Sequence, residues 1–218
     1  MADQARITRE CGYHKPVEIV ENLFKICKFS VGHVRTAEAN QGTTSLYQMA
    51  NGVFGLMTNN HVMPRIDSQF VCGSTITFKG FGQLVLTPDD IRRVTTSAEL
   101  DATVIELTER CVSALNQRGA QFLKITSAQF NDQVAMVGYP NGEFSYDNGI
   151  IHDINGKILH YYIAGHPGSS GSPILLWDLH AIGLHKGCDR DKYKEILGSM
   201  RIATHLRDIV AFHLNTPR

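Results

Sequence analysis

The chain has 218 residues, 43% hydrophobic and 19% charged. That composition suits one compact domain or two small lobes sharing an interface, and it excludes disordered, collagen-like and coiled-coil classes. Lys+Arg and Asp+Glu both total 21, so the formal net charge is zero. Charge therefore gives no argument for nucleic acid or an anionic membrane surface as partner, and neither is expected.

The opening stretch, MADQARITRECGYHKP, is polar and has no apolar core of the kind a secretory signal carries. It reads as a poorly ordered beginning to an N-terminal extension over residues 1–27. No stretch reaches 18 uninterrupted apolar residues, so no transmembrane helix is expected. The five cysteines (Cys11, Cys27, Cys72, Cys111 and Cys188) are odd in number, widely spread and free of Cys-x-x-Cys pairs. Reduced, mostly buried thiols in a cytoplasmic protein fit better than a disulfide framework or a zinc site.

Val17, Val20, Leu23 and Phe24 have helical spacing, and alternation typical of a strand follows near Phe29, Val31 and Val34. TAEANQGTT reads as a loop. The runs SLYQMA and VFGLMT flank Asn51-Gly52, a strong hairpin signal. STITFKG and GQLVLT repeat the pattern, and Pro88-Asp89-Asp90 marks a loop. ATVIEL is a β-branched run suited to a buried strand. The stretch from Thr108 to Asn131 has fewer strand signals and suits a connection between lobes. DQVAMVGYP reads as a strand ending in a turn. Further turns are expected at Asn141-Gly142, Asn148-Gly149 and Asn155-Gly156. The strands SPILLW and HAIGLH follow. Ile202, Leu206, Ile209, Val210 and Leu214 predict a C-terminal amphipathic helix. Many short strands with regular turns and one terminal helix indicate an all-β sandwich or a pair of barrels. The domain reading is an N-terminal lobe over 28–112 and a C-terminal lobe over 113–218.

The segment GSSGSP at 168–173 places two serines between glycines. A serine hydroxyl is a weak nucleophile until a base takes its proton, a third group orients the base, and backbone N–H donors face the developing oxyanion. Gly168 and Gly171 bracket Ser170 and permit the tight turn such donors need. His61, in GLMTNNHVM, follows an apolar run and two asparagines, where a loop would expose it, and is the candidate base. Asp101, in ELDATVIEL, opens another and is the candidate orienting acid. The order His61, Asp101, Ser170 is that of the chymotrypsin type and not the serine-first order of α/β-hydrolases.

MTNNHV resembles the histidine motif of trypsin-like peptidases, especially the HtrA type. LDATVIEL resembles their aspartate motif, GSSGSPI their serine motif, and AIGLHKG the strand that follows. The resemblance spans roughly residues 28–212. It implies two six-stranded antiparallel β-barrels with the active site between them, and a C-terminal helix. It also implies His61 as general base, Asp101 as orienting acid, Ser170 as nucleophile and the N–H groups of Gly168 and Ser170 as oxyanion hole. Protein or peptide is the implied substrate, and no cofactor or metal is needed. The short spacings between the three residues imply trimmed loops.

Ser169 departs from the secreted enzymes of this family, which carry an aspartate there to pair with a newly cleaved N-terminus. Activation is therefore expected to proceed without that cleavage, through loop packing or a regulatory domain or partner. His185 resembles the S1 histidine of glutamyl and picornavirus-type enzymes and implies a pocket for P1 Glu or Gln, with Gly165 and His166 at its edge. Gly165 stands where those enzymes have a hydroxyl.

Other readings stay open. Asp89 or Asp90 could replace Asp101, although neither directly precedes an apolar strand. His205 with Asp178 or Asp189 would require the serine-first order and a Gly-x-Ser-x-Gly elbow, which Ser172 breaks. A catalytically silent barrel pair serving as a binding module is the alternative to an enzyme.

Overall fold

The computed structural model describes residues 15–36, 38–64, 71–163, 166–188 and 200–217. Helix α1 (Val17–Ser30) buries Leu23 and Cys27, and Phe24 meets Phe144 and Tyr146 edge-on. It passes straight into strand β1 (Val31–Arg35), where β-branched Val31 and Val34 favour extended backbone.

Eight strands form the first sheet: β1, β2 (Gln41–Gln48), β3 (Phe54–Thr58), β4 (Thr75–Phe78), β5 (Gly82–Val85), β6 (Ile91–Ser97), β7 (Ala102–Leu107) and β8 (Leu123–Lys124). Their order is β5-β4-β1-β2-β3-β7-β6, with β8 parallel to β2. Helix α2 (Glu109–Gln117) follows β7, its first turn capped by the Thr108 hydroxyl, which accepts from the Cys111 N–H at 3.4 Å.

The remaining strands are β9 (Gln133–Gly138), β10 (Ser145–Asn155), β11 (Ile158–Tyr162), β12 (Pro173–Leu176), β13 (Ala181–Cys188) and β14 (Met200–His205). They close into a barrel of order β10-β11-β14-β13-β12-β9, and helix α3 (Leu206–Asn215) ends the fold. The chain is thus mostly β, with one closed six-stranded barrel, a second sheet and a C-terminal helix.

Three apolar clusters hold it together. One fills the first sheet around Leu46, Leu56, Phe78 and Ile105, and one fills the barrel around Val134, Leu159, Tyr161 and Ile174. The third joins the two halves and both terminal helices through Leu23, Tyr47, Val137, Leu184 and Ile209. Burial of this apolar surface is the main favourable term in folding.

The structure departs from the sequence reading at several points. Strand β2 begins at Gln41, inside the expected loop, because the hydroxyls that made it look loop-like are buried against carbonyls; Thr44 Oγ1, for example, donates to Met57 O at 3.0 Å. The Asn148-Gly149 pair is strand, not turn. The missing side chain at Gly149 lets the Tyr162 carbonyl of β11 come close. Ile202 belongs to β14, so the terminal helix starts only at Leu206. The polar strand β6 gave no sequence signal.

Helix α3 is fastened to the first sheet by a buried ionic group. Glu106, on β7, lies 3.5 Å from Arg93 Nε, 3.4 Å from Arg92 Nε and 3.3 Å from His213 Nε2. Arg93 also donates to the carbonyls of His213 and Thr216, and the Thr95 hydroxyl meets His213 Nδ1 at 2.6 Å. Burial and the Arg93 charge lower the His213 pKa, and Glu106 opposes them. Burial lowers His33 and His205 in the same direction. A lowered folded value means the unfolded chain binds the proton first. The stabilisation is therefore present above the ordinary histidine range and lost as pH falls through it. The melting temperature should drop between pH 7.5 and pH 5.5. His213→Gln should make that drop smaller by about 2–4 °C, the shift expected for roughly 1 kcal/mol in a chain of this size. An unchanged pH slope in the variant would count against this assignment.

Candidate active site

Strand β3 ends at Thr58, and Asn59 turns the chain so that its carbonyl accepts from the N–H groups of Val62 and Met63 at 3.2 and 3.0 Å. That turn presents His61, whose side chain is 49% exposed. The Thr103 hydroxyl of β7 holds the far side of the turn by donating to Met63 O at 2.6 Å.

Asp101 sits immediately before β7 at φ 49°, a left-handed conformation that Asp tolerates better than most residues. Its side chain is 10% exposed. Oδ1 accepts from the His61 backbone N–H at 3.0 Å, and Oδ2 lies 2.8 Å from His61 Nδ1. Asn59 Nδ2 donates to Asp101 O at 2.9 Å, and the Thr204 hydroxyl reaches from the barrel to Leu100 O at 2.7 Å. A carboxylate on Nδ1 places the ring proton there and leaves Nε2 as a base.

Ser170 lies in the turn that leads into β12. Its carbonyl accepts from the Thr43 N–H at 2.8 Å, and Ser172 O accepts from the His185 N–H at 2.8 Å. Gly42 marks how closely the two segments approach. A Cβ placed on it would lie 2.8 Å from Val62, the neighbour of His61, and 3.0 Å from Ser170 O. The serine turn and the histidine turn thus meet across one glycine. The turn also takes hold of β9 and its following bend: Asn141 N–H donates to Pro167 O at 2.7 Å. Within it, Ser169 N–H bonds His166 O, Gly171 N–H bonds His185 O and Ser172 N–H bonds Ser169 O, each at 3.0 Å. Among the described residues, no backbone carbonyl accepts from the N–H of Gly168 or Ser170.

His185 is buried on β13, with Nδ1 hydrogen-bonded to the Tyr161 hydroxyl of β11. Burial, then the charge of Arg201 and the nearness of the titratable His61, push its pKa down to about 3, so it is neutral in the physiological range. His166 is exposed in the serine turn, and its N–H reaches Ser169 Oγ at 3.4 Å. Gly165 lies outside the described residues.

The rival residues have other surroundings. Asp90 accepts from the Thr87 N–H and hydroxyl in a short 3-10 turn, and both Asp89 and Asp90 face Arg110. His205 is buried where β14 enters α3. Asp189 lies outside the described residues. No three His, Cys, Asp or Glu side chains cluster as a metal would need among the described residues, and no helix there is long and apolar enough to cross a membrane.

Sequence reasoning missed Thr43, Asn59, Tyr161 and Thr204. Each acts through a hydrogen bond formed only when distant strands meet, so no local motif carries the signal. Gly171 supplies the clearest test of this packing. Its φ is 84°, and an added methyl would overlap Thr43 O and crowd the Thr58 hydroxyl. Gly171→Ala should lower the unfolding free energy by at least about 2 kcal/mol, the scale of strain at a special backbone position. Urea denaturation would measure this, and a loss under about 0.5 kcal/mol would refute the geometry.

Comparison with known proteins bears on the fold and the family. The family model for the trypsin-like peptidase domain matches residues 48–184. A serine-to-alanine mutant of Rv3671c from M. tuberculosis in its inactive form superposes with a TM-score of 0.65 at 15% identity, covering 94% of this chain and 96% of that one. The active form of the same protease gives 0.64 at 15%, covering 90% and 85%. A serine-to-alanine form of the HtrA-type protease AlgW, with a tripeptide, gives 0.66 at 14%, covering 89% and 62%. The structural likenesses establish a shared fold, and the family match, which spans well over half of the sequence, shows that this chain belongs to the trypsin-like peptidase domain family of serine proteases.

Proposed function

We propose that the chain is a serine endopeptidase of chymotrypsin-like, two-lobed design, with the eight-stranded sheet and the barrel as its lobes. The reading rests on one observation: His61 Nδ1 lies 2.8 Å from a carboxylate buried in the seam, beside the turn that carries Ser170. His61 Nε2 takes the Ser170 proton as the hydroxyl attacks a peptide carbonyl. The N–H groups of Gly168 and Ser170 receive the oxyanion. His61 then gives the proton to the leaving amine, and water releases the acyl-enzyme with His61 as base again. Asp101 fixes the tautomer and stabilises the imidazolium.

Ser169 is uncharged and buried against the His166 N–H, so it offers no ion pair to a cleaved N-terminus. The enzyme is proposed to work without trypsin-type activation cleavage, under the control of loop packing or a regulatory partner. The cytoplasm is the proposed setting, in keeping with thiols buried at Cys27 and Cys111.

The proposed S1 pocket is built on His185, with His166 and Gly165 at its edge. The Tyr161 hydroxyl on Nδ1 leaves Nε2 to donate to a P1 side chain. A neutral imidazole supplies a hydrogen bond and not a charge, which suits a Gln or Glu carbonyl oxygen.

Fluorophosphonate labelling tests the catalytic assignment. Wild type should take the label without N-terminal processing, and Ser170→Ala should take none. Asp101→Asn should react about 10⁴-fold more slowly, because the wrong ring nitrogen carries the proton. A well-folded wild type that never labels would instead support a binding module. A peptide library varied at P1 tests the pocket. Cleavage after Glu or Gln should dominate, and Tyr161→Phe should cut kcat/KM on those peptides by about tenfold, the worth of one hydrogen bond of roughly 1.4 kcal/mol. A preference for Lys, Arg or Phe would overturn the pocket assignment.

A further inference from the structure

We infer that Thr43 is a positioning residue of the oxyanion hole, through which the first sheet holds the serine turn in its working conformation. The inference rests on the Ser170 reading above and adds to it the means by which the hole is kept open.

A trans peptide unit is planar, with its C=O and N–H pointing in opposite directions. Whatever holds a carbonyl therefore aims the following N–H the other way. The Gly168 N–H shares a peptide with Pro167 O, which the Asn141 N–H holds at 2.7 Å. The Ser170 N–H shares one with Ser169 O, which the Ser172 N–H holds at 3.0 Å. In the two peptides that alternate with these, the N–H groups bond His166 O and His185 O, and Thr43 holds both carbonyls. Its hydroxyl donates to Gly168 O at 3.0 Å, and its backbone N–H donates to Ser170 O at 2.8 Å. Four successive carbonyls, from Pro167 to Ser170, are thus tied outward, and the two N–H groups that would meet the oxyanion face the opposite side.

Thr43 is itself immobilised. It is fully buried, its own carbonyl accepts from the Thr58 hydroxyl at 2.8 Å, and its Oγ1 accepts from the Tyr139 N–H at 3.0 Å. Tyr139 begins the bend containing Asn141, so one hydroxyl spans both the serine turn and the segment that holds Pro167 O. The stretch around Ser169 has no carboxylate with which to lock itself to a chain terminus. Thr43 does the locking from the other lobe, with neutral hydrogen bonds in a site closed to water, where such bonds are at their strongest.

The test is the second-order rate constant of fluorophosphonate labelling, because the phosphonyl oxygen occupies the oxyanion hole. Thr43→Val keeps the shape and removes the hydroxyl. It should slow labelling by about tenfold or more, up to the 10²–10³ associated with loss of one donor. The pH dependence of labelling should not move, since His61 and Asp101 are untouched. Thr43→Ser should restore the rate to within about threefold of wild type, equivalent to roughly 0.65 kcal/mol. Circular dichroism and thermal melting establish that each variant is folded.

Should Thr43→Val not fold, Thr43→Ala takes its place. It also removes the hydroxyl that Gly168 O and the Tyr139 N–H share, and it should slow labelling in the same way. Labelling at the wild-type rate in the folded variant, a shifted pH profile, or failure of Thr43→Ser to rescue would overturn the inference. If wild type labels and Ser170→Ala does not, such a result sinks the Thr43 assignment alone. If wild type takes no label, or Ser170→Ala still does, the catalytic reading falls and this inference with it.

Discussion

A carboxylate has been taken out of water at Asp101, and much of the architecture is arranged so that it can remain there. An ionised group in that position costs several kcal/mol unless its oxygens are satisfied. Both oxygens are satisfied from one residue: the His61 backbone N–H takes one and the ring nitrogen the other. The backbone around it is pinned just as closely. Asn59 reaches from the preceding turn to Asp101 O, and Thr204 reaches from the barrel to Leu100 O. Orientation of the His61 ring is therefore a by-product of satisfying a buried carboxylate. A histidine so placed needs no other support, and half of its side chain can face the cleft.

The seam between sheet and barrel works on the same economy. It is apolar through most of its depth, around Tyr47, Met57, Val137 and Leu184, and polar where the two turns meet. There it is stitched by hydroxyls on backbone carbonyls, Thr43 to Gly168 and Thr204 to Leu100, and Thr58 braces Thr43 from within the first sheet. Such bonds are short-ranged and directional, so they fix position without adding charge near the reacting centre. Gly42 and Gly171 complete the fit, since a methyl on either would push the halves apart.

The part of this that was legible in the sequence is the part that local chemistry dictates. Apolar runs ending shortly before His61 and beginning after Asp101, together with glycines around Ser170, mark strand ends that carry the proposed catalytic groups. The order of the three then restricted the fold. The Asn51-Gly52 and Asn155-Gly156 turns were readable because a tight hairpin needs residues that tolerate positive φ. What escaped was polar strand. Thr43 and Thr44 look like loop until their hydroxyls find carbonyls more than a dozen residues away, and β6 runs as a polar edge beside β7. Asn148-Gly149 carried a turn signal that pairing with Ala135 and Val134 of β9 overrode. Ile202 fitted the helical period only by coincidence with a strand that ends three residues later.

Strand β14 occupies a place that bears on how the molecule comes into being. It lies between β11 and β13 in the closed barrel, it brings Thr204 to the backbone beside Asp101, and it leads into the helix anchored on Glu106. Residues 200–215 leave the ribosome after every segment they touch. Until they arrive the barrel has an unfilled slot, and the backbone beside Asp101 lacks its hold from the far lobe. A chain built only as far as β13 therefore already carries His61, Asp101 and Ser170 without the proposed site assembled around them. The site proposed for this enzyme is complete only once β14 has docked.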